Sequence, residues 1–275
     1  VGDAALVAMP GVPDEMRAMF TEQVLPWLLR QAKRKIIVRR AHLFGLPEST
    51  VDERVSDMME QGRNPAVGLT VEGGVVSVCL SARAENEGRA EQLLEADMRA
   101  LRERFAEALF GCDDTTLARA VSDLLEEQDL RIALAESCTG GQVGSMLVDV
   151  PGISRFLLLD VVAYGNDAKV AQLRVPAEMI EAHGAVSPEV AEAMARGACE
   201  VSGAPLGIST TGIAGPTGGT PEKPVGLVFI GVCLDGRTCS HRLQLRGERR
   251  RVKDRSARHA LNFARLALLE RGRAR

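Results

Sequence analysis

Apolar and polar positions along this chain change their rhythm near residue 114. Before it the pattern is that of a small α+β unit: RKIIVRRAHLFG, 34 to 45, reads as a strand, ESTVDERVSDMMEQG, 48 to 62, as a helix, and AVGLTVEGGVVSVCLSARA, 66 to 84, as two strands turning at Gly73-Gly74. A long helix follows, with Leu94, Met98, Leu101, Phe105 and Ala108 on one face. The stretch GCDDTT, 111 to 116, is the expected boundary, where a glycine ends that helix and Asp114 or Thr115 caps the next. Ahead of the first strand, Asp14 and Glu15 open a helix with apolar Met16, Met19, Phe20 and Leu25 that has no preceding sheet to cover.

From about 114 onward helices and strands alternate, the mark of a layered α/β domain. LARAVSDLLEEQ is a helix, RIALAE a buried strand, GQVGSMLVDV a helix, VVAYG a strand and NDAKVAQL a short helix capped by Asn166. In SPEVAEAMARGACEVS, Ser187 takes the N-cap and Pro188 the first helical position. PLGISTTG, VGLVFIGVCL and RTCSHRLQLRG read as strands, and a final helix runs from about Glu248. The expected fold class is α/β: a three-layer α/β/α C-terminal domain with a mixed sheet, preceded by a small α+β domain.

Composition narrows the function classes. Apolar residues make up 45% and charged residues 26%, a globular balance. One Trp, one Tyr and seven Phe are too few for a single-strand nucleic-acid platform of stacked aromatics. The six cysteines form no C-x-x-C pair, and no segment resembles a membrane span or a signal peptide, so a cytoplasmic protein with reduced thiols and no zinc site is expected. The net charge of −3 is unevenly spread: residues 242 to 275 hold twelve Lys/Arg against three Asp/Glu. Such a run is either a solvated basic helix packed on an acidic body or a place where arginines meet an anionic ligand.

Three segments carry candidate chemistry. RIALAE delivers the chain into Ser137-Cys138-Thr139-Gly140-Gly141, and a helix starts at once. Such a turn is either a plain helix cap or a cradle of N–H groups for a phosphate or an oxyanion. Tyr164, the one tyrosine, stands at a strand's carboxyl end, and Lys169 lies in the first turn of the following helix, where the dipole loosens its proton by less than one pKa unit. A general base needs burial or a second cation besides, and a core tyrosine with a surface lysine is the alternative. The long loop TTGIAGPTGGTPEKPVG, 210 to 226, lacks G-K-[ST] and suits a wall around a polar ligand. Cys138 is a rival nucleophile. His42, His183, His241 and His259 are scattered, with no metal-ligand spacing.

These motifs resemble those of the CinA family, whose C-terminal domain is the nicotinamide-nucleotide amidohydrolase PncC. The likeness rests on LAESCTGG (134 to 141), DVPGISRF (149 to 156), VVAYGNDAK (161 to 169), HGAVSPEVAEAMARGA (183 to 198) and the 210 to 226 loop, and covers essentially all of 114 to 271. LFGLPEST and GRNPAVGLT are similar to the family's KH-like linker domain, and MPGVPDEMRAMF to the close of its molybdopterin-binding-like domain. The resemblance implies three parts: a remnant at 1–33, a KH-like domain at 34–112 and an amidohydrolase domain at 113–275. Most of the molybdopterin-binding-like domain lies outside this resemblance, so any pyrophosphatase activity linked with it in the family is not carried over.

By resemblance, Ser137 is the nucleophile and Tyr164 and Lys169 complete a Ser-Tyr-Lys set that converts nicotinamide mononucleotide to nicotinate mononucleotide and ammonia, a step of pyridine-nucleotide salvage. Thr139, Gly140, Gly141, Thr211, Gly212 and Ala214 would surround the substrate, with the N–H groups around Gly140 and Gly141 facing the oxyanion. Arg249 and Arg251, in the run that also holds Arg250, Lys253 and Arg255, would take the phosphate. No cofactor or metal is expected, and the implied partners are the small-molecule substrate and a second copy of the chain. The competing reading is a non-catalytic nucleic-acid-binding or adaptor protein using the KH-like part and the basic final helix. No G-x-x-G flanked by basic residues supports it.

Overall fold

A computed structural model of the chain describes residues 5–31 and 35–274. Arg34, where the first strand was expected to begin, and the junction at 33/34 lie outside the described residues. In chain order the elements are α1 (Pro13–Met19), a π-helical turn (Phe20–Val24), α2 (Leu25–Gln31), β1 (Lys35–Phe44), α3 (Glu48–Val55), β2 (Ala66–Glu72), β3 (Val75–Ala84) and α4 (Glu87–Phe105). They continue with β4 (Leu109–Cys112), α5 (Leu117–Glu127), β5 (Ile132–Glu136), α6 (Gln142–Val148), β6 (Leu157–Val162), α7 (Asn166–Leu173), α8 (Ala177–His183) and α9 (Pro188–Ser202). β7 (Leu206–Gly212), β8 (Leu227–Leu234), β9 (Arg237–Gln244) and α10 (Arg249–Arg273) complete the chain.

The first sheet is antiparallel, in the order β2-β3-β1-β4. Its apolar face, with Leu43, Val78 and Leu80, packs on Val51 and Val55 of α3 and on Leu94, Met98 and Leu101 of α4. The long helix does not reach Gly111. It ends at Phe105, Ala106 turns left-handed, and Leu109–Cys112 pairs with β1 as a fourth strand that the helical periodicity concealed. Thr116, rather than Asp114 or Thr115, caps α5, its side chain accepting from the N–H of Arg119.

The second sheet runs β6-β5-β7-β8-β9 and is mixed: β6, β5 and β7 are parallel, and β8 and β9 antiparallel. One face packs on α5, α6 and α10 through Val121, Leu125, Leu147, Leu261 and Leu268, and the other on α7, α8 and α9 through Leu173, Ile180, Val190 and Met194. This is the expected three-layer α/β/α arrangement. β5 is buried at all its positions because strands flank it on both sides and helices cover both faces. The chain passes from β5 to β6 on one side and returns to β7 on the other, so the carboxyl end of β5 is a switch point, where open α/β sheets bind ligands.

Three sequence expectations need correction here. β6 begins at Leu157, four residues before VVAYG, because the preceding 3₁₀ turn (Ile153–Arg155) releases the chain directly into the run Leu157-Leu158-Leu159. Tyr164 therefore stands two residues beyond the strand. Gly165 holds the N-cap position of α7 and Asn166 is already inside the helix. α8, absent from the periodicity reading, packs Ile180 into the core.

α10 joins the two sheets. His259 lies between Phe44 of β1 and Phe263, with ring centroids 4.8 and 6.0 Å away, and burial pushes the imidazole down to about 4. Because the unfolded chain binds that proton more readily, the neutral ring contributes stability above pH 6.5 that fades on acidification and is gone below about 4. Urea midpoints measured from pH 7 to 4 are therefore expected to fall less steeply for His259→Phe than for the parent. Parallel curves would remove His259 from the acid response.

Candidate functional site

β5 carries the chain through the middle of the sheet and releases it at Ser137, still inside the molecule. Gly140 and Gly141, with φ of 64° and 87°, then turn it into α6 through the left-handed region that glycine adopts without steric penalty. Thr210, at the end of β7, secures the turn: its carbonyl accepts the Ser137 N–H at 3.0 Å and its hydroxyl meets that of Thr139 at 2.6 Å.

Lys169 of α7 comes to this turn from the other side of the sheet and is 1% exposed. Its Nζ lies 3.2 Å from Oγ of Ser137 and donates to the carbonyls of Ala163 at 2.9 Å and Tyr164 at 3.1 Å. Among the described residues no carboxylate is a hydrogen-bond partner of this amine. Burial pushes the ammonium below its ordinary range. As a neutral amine it gives one N–H to each carbonyl and keeps its lone pair for the Ser137 hydroxyl proton. Burial thus acts in the same direction as the helix dipole.

Tyr164 is 60% exposed, and its main-chain oxygen, not its phenol, holds Lys169. The phenol oxygen accepts from Nη2 of Arg249 at 2.9 Å, which leaves its own O–H free to donate. Nη1 of Arg249 donates to the Gly215 carbonyl at 3.0 Å. Ser137, Tyr164, Lys169, Thr211, Gly212, Ala214 and Arg249 line one pocket of about 220 Å³, so the three proposed catalytic residues do converge. A larger groove of about 910 Å³ adjoins it through Ala214 and Arg249, and contains Gln142, Arg250 and Lys253.

Several expected roles are not what the side chains do. The Thr139 hydroxyl is turned to Thr210, and that of Thr211 donates to the Ala185 carbonyl at 2.7 Å. The N–H of Gly141 is held by Oε2 of Glu136 at 2.8 Å, so it cannot face an oxyanion. Among the described residues, no protein group accepts from the N–H of Cys138 or Gly140, which are the donors the turn keeps open. Arg251 packs against Gly247 and lines neither cavity; Arg250 and Lys253 stand there instead. Arg255 and Arg258 reach the Gly73-Gly74 turn of the first sheet, so the basic run is divided among several tasks.

The rivals lose ground on similar terms. Cys138 is buried and its thiol is pushed up to about 12, which leaves no thiolate near neutral pH. No histidine lines the pocket: His183 sits 3.8 Å from Glu189, and the His241 ring stacks on Phe263. Among the described residues no group of His, Cys, Asp or Glu could hold a metal ion, and no helix is long and apolar enough to cross a membrane. Sequence reasoning missed Asn166, Ala185 and Val186 on the pocket wall. It also missed Glu136, although a charge ending an apolar strand beside Ser137 was a visible signal.

Comparison with known proteins agrees with this arrangement. The family model described as the CinA C-terminal domain matches residues 114–268, and that of the damage-inducible protein CinA KH domain matches 38–111. A CinA-like protein of Dictyoglomus thermophilum is 40% identical over 98% of the chain, which spans 65% of that relative's length. Among solved structures, a competence/damage inducible protein from Agrobacterium tumefaciens superposes with a TM-score of 0.53 at 37% identity, covering 55% of this chain and 93% of that one. A CinA superfamily protein from Klebsiella pneumoniae gives 0.54 at 30% identity, covering 56% and 96%. With a strand-to-helix serine turn, a buried lysine beneath it and more than half of its length matched by the family's C-terminal domain, the chain belongs to the CinA family.

Proposed function

We propose that the second domain is a serine amidohydrolase that removes ammonia from the carboxamide of nicotinamide mononucleotide. The observation that carries this reading is the 3.2 Å approach of the buried, carboxylate-free Lys169 amine to the Ser137 hydroxyl. Lys169 takes the hydroxyl proton as Oγ attacks the carboxamide carbon. The developing oxyanion is met by the open N–H groups of Cys138 and Gly140, with the Tyr164 O–H as a further donor. Lys169 then returns the proton to the amide nitrogen, ammonia leaves, and water resolves the acyl-enzyme through the same base.

The substrate follows from the family resemblance together with the charge beside the pocket. A positively charged pyridinium ring withdraws electrons from its carboxamide and makes it the better electrophile. Arg249, Arg250 and Lys253 in the adjoining groove suit the phosphate of a mononucleotide. Elsewhere on the basic helix, Arg265 donates to the Glu107 carbonyl and Arg271 to Asp235.

Ammonia release measured side by side with the mononucleotide, its riboside and free nicotinamide tests the reading. Turnover is expected for the mononucleotide, with a much higher KM for the riboside. Arg249→Ala should raise KM for the mononucleotide about tenfold or more, since one charge-assisted hydrogen bond contributes about 1.5 to 3 kcal/mol. The riboside should lose less, and only through the Tyr164 phenol that Arg249 holds. Equal turnover of all three compounds would place the phosphate elsewhere, and no ammonia from any of them would end the amidase proposal.

A further inference from the structure

The mechanism leaves unused a pair of carboxyls, Glu136 buried and Asp160 half-buried. Glu136 immediately precedes Ser137, is 1% exposed, and places both of its oxygens on backbone donors of the turn that follows: Oε2 accepts from Gly141 and Oε1 from Gly144, each at 2.8 Å. Asp160 of β6 points at the same spot. A Cβ built on Gly144 would collide with Oδ2 of Asp160, so both carboxyls converge on that glycine. Oδ1 of Asp160 is the one buried side-chain oxygen or nitrogen, among the described residues, without a hydrogen-bond partner.

Two carboxylates that converge on one glycine repel when both are ionised; a proton held between them would remove that repulsion and give the orphaned oxygen a partner. Burial and the facing Glu136 push Asp160 up to about 7. β5 brings no other charged group to Asp160, and α6 has none in its sequence QVGSMLV. Glu136 already accepts from two backbone N–H groups, those of Gly141 and Gly144.

We propose that Glu136, braced by a proton shared with Asp160, is the positioning residue that sets Ser137 against Lys169. Its side chain closes the stretch from 136 to 144 into a ring, so the Ser137 hydroxyl is aimed by the strand before it and the helix start behind it. Misplacing a reacting atom by about 1 Å costs on the order of 100-fold in rate, which is the scale of effect this ring controls. When Asp160 loses its proton, the two carboxylates repel and the ring loosens. Deprotonation of Asp160 near pH 7 therefore lowers the nucleophilicity of Ser137, against the gain that a neutral Lys169 brings as pH rises.

The inference rests on Ser137 being the nucleophile, and its test reads that nucleophile without the proposed substrate. A fluorophosphonate probe is reacted with the full chain, Ser137→Ala serving as the blank, and the labelling rate is followed from pH 5.5 to 9. Glu136→Gln turns an NH₂ toward one of the two N–H donors. It is expected to slow labelling about 100-fold while circular dichroism stays that of the parent. Asp160→Asn keeps a neutral donor to Glu136; near-parent labelling at pH 6.5 and loss of the alkaline fall are expected.

Parent-rate labelling of Glu136→Gln, an alkaline fall that survives in Asp160→Asn, or a parent profile with no fall would each overturn the proposal. Should Glu136→Gln not fold, the Asp160→Asn profile decides alone. Failure of the amidase reading looks different: the probe labels Ser137 with the same profiles while no ammonia comes from the mononucleotide.

Discussion

Ser137→Ala will lower ammonia release from nicotinamide mononucleotide by at least about 10⁴-fold and leave the fold in place. The Ser137 side chain is buried but small, and among the described residues its hydroxyl meets only Lys169. The backbone of the turn is held independently by Thr210 and Glu136. Unfolding free energy should therefore change by less than about 1 kcal/mol. Turnover within tenfold of the parent, measured on protein freed of wild-type contamination, would remove Ser137 from the chemistry and with it the acyl-enzyme.

The second large effect separates catalysis from stability. Lys169→Met keeps the side chain's length and removes the amine, so kcat should fall about 10³-fold or more with KM little changed. Because the amine is buried without a carboxylate, its replacement by an apolar group should leave the thermal midpoint equal or higher. Tyr164→Phe, whose main-chain carbonyl still holds Lys169, is expected to lose only about 10 to 100-fold. In the parent, kcat/KM should carry a limb that climbs as Lys169 becomes neutral, superimposed on the alkaline fall through Asp160, and Lys169→Met should lack that limb. A variant with unchanged kcat and raised KM would make Lys169 an anion ligand instead of a base. Equal losses for Tyr164→Phe and Lys169→Met would shift the proton transfer to the phenol.

Both predictions turn on residues whose types and order are readable along the chain, yet whose pairing is not. Ser137 announces itself by a buried strand running into paired glycines, and Lys169 by its place in the first turn of a helix. What joins them is the parallel pairing of β5 with β6, which brings residues 32 positions apart to 3.2 Å. Arg249 and Tyr164, 85 positions apart, are joined only by the return of α10 across the second sheet. Arg251 fits the phosphate role by composition as well as Arg250 does, but the direction each side chain takes from α10 puts only Arg250 in the groove.

The sequence by itself determined the alternation of helices and strands in the second domain, the mixed α/β class, and the serine turn with its obligatory glycines. Those features follow from periodicity and backbone sterics, which act over a few residues. Only the tertiary structure decided that Gly141 serves Glu136 rather than an oxyanion, that the 109–112 segment leaves its helix to pair with β1, and that Lys169 is stripped of water. Hydrogen-bond partners, strand register and desolvation depend on what distant segments bring to the same place, and no local pattern encodes that meeting.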